Sequence, residues 1–115
     1  MDQQLRYTLV LKVYGEDKIF GPGIAELLEK IDCVHSIRKA TLEMGMAYSK
    51  AWSIIKTAET SLGFPLLSST TGGAGGGGAV LTDRGRQFLL SYRKFETIVH
   101  DFADEIFMEM FGAQA

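Results

Sequence analysis

Ala51, Ile54, Ile55, Ala58 and Leu62 recur at three- and four-residue spacing, the pattern of a helix with one apolar face. Off that face stand Tyr48, Ser49, Ser53, Lys56 and Thr57, with Lys50 at the margin, so the helix presents hydroxyls and positive charge. Such side chains suit hydrogen bonding to base edges in a nucleic-acid groove better than they suit bond-breaking chemistry. Trp52, on the same helix, reads either as a core aromatic that seals the corner between helices or as an exposed contact to a base or sugar. Ser36, Arg38 and Lys39 open the preceding helix, where a helix N-terminus and two cations can meet a phosphate. Arg84 and Arg86 follow a glycine-rich stretch and are expected to supply phosphate contacts beside it.

Other chemistries find less support. Cys33 and His35 would need two further ligands to hold a metal, and His100 stands far from both, so neither a metal nor a cofactor is expected. Asp101, Asp104, Glu105 and Glu109 read as a solvated acidic face, because no nucleophile or base arrangement accompanies them and the chain is not expected to be an enzyme. The run Gly72 to Gly78 resembles a phosphate-binding loop only in its glycines, since Gly78 is followed by Ala79 and Val80 rather than Lys and Ser or Thr.

Positioning these residues takes a particular order of elements. Leu5, Tyr7, Leu9, Leu11 and Val13 alternate with Arg6, Thr8, Val10 and Lys12, which predicts a half-buried strand over Leu5–Val13. A turn at Tyr14–Asp17 and a short return at Lys18–Phe20 complete a β-hairpin within residues 1–22. Residues 23–65 then read as a three-helix core. Ile24, Leu27, Leu28 and Ile31 mark the first helix, Ser36 caps the second, and Gly45 ends it before the third. Two helices joined by Met44-Gly45-Met46 make a helix-turn-helix pattern. Leu66–Leu67 and Ala79–Leu81 flank the glycine tip as two brief strands, so residues 66–81 form a wing in which Thr70, Thr71 and Gly73 would lie beside a duplex backbone. From Thr82 as N-cap a last helix runs over 82–111, and at 1.5 Å per residue it is roughly 40 Å long. Phe88, Tyr92, Phe95, Val99, Phe102 and Ile106 are spaced as an a/d seam along it, with Leu89, Ile98, Ala103 and Phe107 beside them. A homodimer is the expected consequence.

The 115 residues carry a net charge of −2, which by itself discourages a nucleic-acid partner. The distribution reverses that impression. Residues 36–94 hold eight basic and three acidic side chains (+5), whereas residues 1–35 hold four and six (−2) and residues 95–115 none and five (−5). A phosphate backbone responds to the local field rather than to the total. One cysteine, no long apolar run and no signal-like N-terminus lead to the expectation of a single soluble domain in a reducing cytoplasm, without a membrane partner.

The run GMAYSKAWSIIKTAETSLGFPLL (Gly45 to Leu67), followed by TGGAGGGGAVLTDRG (Thr71 to Gly85), resembles the N-terminal DNA-binding domain of ModE-type molybdate-responsive transcriptional regulators, winged-helix relatives of the LysR-type regulators. KIFGPG (Lys18 to Gly23) and the helix after it resemble short members made of this domain alone. The resemblance implies a homodimer that binds operator DNA, with a link to molybdate or metal-oxyanion transport. Its molybdate-binding domains have no counterpart in these residues, so the ligand is not carried over. Two features depart from the family pattern. Ala47 stands where Ser is common ahead of the third helix, and Ala74 and Ser68 to Thr71 leave the wing neutral where Lys or Arg is usual.

The expected fold is mainly α with small β elements, a winged helix-turn-helix with an N-terminal β-hairpin and a long C-terminal dimerisation helix. The expected function is sequence-specific regulation of transcription on double-stranded DNA. The alternative is a winged-helix protein-interaction module that does not read DNA and docks through the hairpin or the Met108–Met110 end. A separate effector-binding subunit is compatible with both.

Overall fold

A computed structural model describes residues 4–70 and 78–112. The fold is mainly helical, with two small antiparallel hairpins and a long last helix. In chain order come β1 (Val13–Tyr14), β2 (Lys18–Phe20), α1 (Pro22–Val34), α2 (Ile37–Met44), α3 (Tyr48–Leu62), β3 (Leu67–Thr70), β4 (Gly78–Leu81) and α4 (Asp83–Phe111).

The central helix is α1, because it buries residues on two sides. Leu28 joins Phe20, Ile24, Leu66, Leu81, Leu89 and Tyr92 in one core cluster, while Leu27 and Ile31 join Ala40, Ala51, Ile55 and Ala79 in a second. Burying apolar side chains of this size is worth about 1.5–3 kcal/mol each, so these contacts set the mutual placement of the helices. The two glycines that end α2 and α3 are needed for their backbone: Gly45 and Gly63 have φ of 66° and 83°. Ser36 caps α2 as its type predicts, its hydroxyl accepting from the Lys39 N–H at 3.1 Å. At the head of α3, Ala47 offers no side-chain cap, yet the helix begins directly after it at Tyr48.

His35, which ends α1, also lies in the left-handed region, at φ 58°. Its carbonyl accepts from the Ala79 N–H at 3.1 Å and so ties β4 to the junction of α1 and α2. An L-residue in this conformation costs about 1–2 kcal/mol, part of which glycine returns through its looser unfolded chain. His35→Gly is therefore expected to raise stability by up to about 1 kcal/mol in urea denaturation. A clear loss would show that the imidazole itself supports the junction.

Two sequence expectations are corrected. The strand over Leu5–Val13 shrinks to Val13–Tyr14, paired with β2 through Val13↔Phe20 and Tyr14↔Lys18. Residues 6–12 keep their alternation, with Tyr7, Leu9 and Leu11 half-buried and their neighbours exposed, but they lie on α4 instead of in a ladder, and Leu5 is exposed. Tyr92 donates to the Leu11 carbonyl at 2.8 Å, and the Tyr7 ring packs on Phe107 at 4.8 Å. The Tyr7 hydroxyl donates to the Asp104 carboxylate, and that bond pushes its pKa up to about 12.

The second correction concerns the a/d seam. Phe88 and Tyr92 are not free to meet a partner, because both rings close on Phe20 at 4.8 Å and 5.0 Å inside the domain. Phe95, Ile98, Phe102 and Ile106, further along α4, are exposed, while Val99 is half-buried. The near half of α4 is thus core and the far half projects. Arg93 holds the boundary, bridging α4 to Glu29 of α1 at 2.7 Å and to Glu96 at 2.7 Å. The guanidinium keeps the Glu29 carboxyl below its ordinary range.

No helix of the described residues is long and apolar enough to cross a membrane.

Candidate functional site

The outward surface of α3 has a recess on each flank. At about 100° per residue, Tyr48, Trp52 and Lys56 lie along one flank and Lys50, Ser53 and Thr57 along the other, roughly 130° away. The apolar residues Ala51, Ile55 and Ala58 face the core and hold this orientation.

The first recess, about 680 Å³, opens between α2, α3 and the β3–β4 hairpin. The start of α2 gives it Ser36, Arg38 and Lys39, α3 gives Tyr48, Trp52, Lys56 and Glu59, and the hairpin gives Ser68, Ser69 and Gly78. Its walls pair cations with rings. The Arg38 guanidinium sits 4.7 Å from the centre of the Tyr48 ring, and the Lys56 ammonium 5.1 Å from that of Trp52. These contacts hold long side chains in place while leaving their charge at the surface. Glu59 is the one carboxylate in the lining, and its work is structural. Its Oε2 accepts from the backbone N–H groups of Leu66 at 2.7 Å and Leu67 at 3.3 Å, which fixes the start of β3 against the end of α3. Its Oε1 lies 3.4 Å from the Lys56 ammonium.

The second recess, about 430 Å³, lies between α3 and the first hairpin. Lys12, Lys18 and Lys50 line it, with Ser53, Thr57 and the start of α1 from Gly21 to Ile24. No carboxylate is among its lining residues.

The predicted contact residues are therefore divided. Ser36, Arg38, Lys39, Tyr48 and Lys56 share the first recess; Lys50, Ser53 and Thr57 share the second; Ser49 is exposed on the first turn of α3 and lines neither. Thr70 pairs with Gly78 at the end of the hairpin, and Thr71 and Gly73 lie outside the described residues. The two arginines expected to charge the wing are occupied elsewhere. Arg86 forms a two-pronged ion pair with Asp32 of α1, one prong at 3.0 Å, and Arg84 lies 4.2 Å over the Phe64 ring. Arg86 draws the Asp32 carboxyl below its usual range.

Of the two readings of Trp52, the core seal does not hold: the ring is half-buried against Lys56 and lines the first recess. Lys12 and Lys18 were not singled out by their sequence context. Alternation with apolar neighbours marked Lys12 as outward-facing, but nothing local placed the hairpin beside α3.

Together the recesses offer ammonium and guanidinium groups, hydroxyls and aromatic faces. That inventory suits anionic, ring-bearing polymers. Among the described residues no cluster of three His, Cys, Asp or Glu side chains could hold a metal. No protein-family model matches the chain, and no curated protein matches it significantly.

Proposed function

We propose that the chain is a DNA-binding regulator of transcription that acts as a homodimer, with α2 and α3 as a helix-turn-helix and β3–β4 as the wing beside it. One observation carries the reading: α3 presents a fully polar outer face, Ser49, Ser53, Lys56 and Thr57, directly beside a recess walled by Arg38, Lys39 and Lys56. A helix so placed can enter a major groove while the recess receives the adjoining phosphates. The acidic cluster of Asp101, Asp104, Glu105 and Glu109 is no objection, since it stands on the far half of α4.

Selection from a genomic duplex library, followed by anisotropy titration at two salt concentrations, tests this directly. A preferred sequence and an affinity that falls as salt rises are expected. Tyr48→Ala should relax the preference by about 1–3 kcal/mol, whereas Arg38→Ala should weaken all sequences about equally. Failure to enrich any sequence, or binding indifferent to salt, would overturn the reading.

The exposed methionines Met108 and Met110, at 66% and 63% of full exposure, favour a second reading as a protein-docking module. Capture of a defined partner protein by a chain that binds no duplex would select it.

A further inference from the structure

We propose that the recess between the first hairpin and α3 is a second cradle for the DNA backbone, holding the strand across the major groove from the one that the Arg38–Lys39–Lys56 recess holds. This inference rests on the DNA-binding reading and adds to it the hairpin, which has no part in a helix-turn-helix or a wing.

Geometry supplies the first support. A major groove is about 12 Å wide, and a helix with its side chains is about 10–12 Å across, so both flanks of an inserted helix come close to phosphates, one strand on each side. On α3 the two flanks each carry a cationic recess, and Ser49, Ser53, Lys56 and Thr57 project between or along them. A single recess would match a helix lying against one strand; paired recesses match a helix seated between two.

The chemistry of the second recess supplies the rest. Three separate elements each bring a lysine to it: Lys12 from the segment before β1, Lys18 from β2, and Lys50 from α3. The ion pairs among the described residues involve Lys30, Lys56, Arg86 and Arg93, and none of these three lysines. Glu16 and Asp17, in the turn between β1 and β2, do not line the recess. The floor is the N-terminus of α1, a helix of 13 residues with no side-chain cap and no acidic residue in its first turn. Its uncapped N–H groups and positive dipole end therefore open beside the lysines and favour an anion there. Like charges gathered from three elements, with no counter-charge in the lining, disfavour the isolated fold, and a polyanion relieves that repulsion.

The test is the double variant Lys12→Ala/Lys18→Ala, titrated against the duplex selected by the wild-type protein over a range of salt. Each lost phosphate contact lowers the slope of log affinity against log salt by about 0.9, so a fall of about 1.8 per bound protomer is expected, with sequence preference unchanged. Backbone-ethylation interference should lose its signal on one strand only within each half-site. Lys94→Ala removes an exposed charge from α4 outside both recesses and should leave the slope as it was. Both substituted lysines are exposed, so the melting temperature serves as the check that the fold is retained. If the wild-type protein binds DNA and the double variant keeps its slope, or Lys94→Ala reduces the slope as much, the cradle is overturned while the DNA reading stands. If the wild-type protein shows no salt-dependent binding to any duplex, the DNA reading fails and the cradle falls with it.

Discussion

Gly85→Ala will destabilise the fold by about 1–3 kcal/mol, although alanine is the better helix former by about 1 kcal/mol. Gly85 lies in the first turn of α4 and is buried. A Cβ there would sit 2.5 Å from the Leu66 carbonyl oxygen, 2.9 Å from Thr82 Oγ1 and 3.0 Å from Leu66 Cα. Contacts that short require movement, and the obstacle is backbone held from several directions. The Leu66 carbonyl accepts from the Thr82 N–H at 2.9 Å, the Leu66 N–H donates to Glu59 at 2.7 Å, and Thr82 Oγ1 donates to the Pro65 carbonyl at 2.7 Å. Thr82 is also the cap of α4, its hydroxyl accepting from the Gly85 N–H at 2.9 Å. Any shift that admits the methyl group strains the cap and the clamp on β3 together. Urea denaturation of the variant measures the effect. A neutral or stabilising result would mean that the Leu66 backbone moves freely and that helix propensity decides this position.

That glycine shows where local sequence stops being informative. Thr82 was legible as a cap because capping is a matter of neighbouring residues, but the backbone that crowds Gly85 belongs to Leu66 across the fold. The first strand teaches a related lesson. Alternation over Leu5–Val13 reports burial on one side, and burial against a helix produces it as readily as pairing in a sheet. Here α4 is the support, through Tyr92 to the Leu11 carbonyl and Phe107 to Tyr7. The candidate site was legible residue by residue, from the types on α3 and the start of α2, yet its division into two recesses was not. That division depends on the β1–β2 and β3–β4 hairpins flanking α3, a long-range placement that no spacing encodes.

Phe102→Asp is expected to abolish self-association while leaving the protomer folded. The reason lies in where the core ends along α4. At the near end of the seam Phe88 and Tyr92 pack on Phe20, whereas beyond Arg93 the helix projects past that core and the same side of it is left uncovered. Phe95, Ile98, Phe102 and Ile106 end at 48%, 58%, 63% and 38% exposure on one side of the projecting half of α4. Four large apolar residues at spacings of three and four are the face that a second copy of the chain would bury. Covering a phenylalanine is worth about 1.5–3 kcal/mol, and symmetry counts it twice, so loss of Phe102 from the interface should weaken a dimer by about 3–6 kcal/mol, or roughly 10²–10⁴-fold. The buried aspartate adds to that loss. Sedimentation equilibrium of wild-type and variant protein measures the dissociation constants, and the unchanged melting of the variant's protomer separates this effect from unfolding. Phe88→Asp supplies the contrast, because its ring belongs to the core and the charge should unfold the chain. A wild-type protein that remains monomeric at high micromolar concentration would overturn the homodimer.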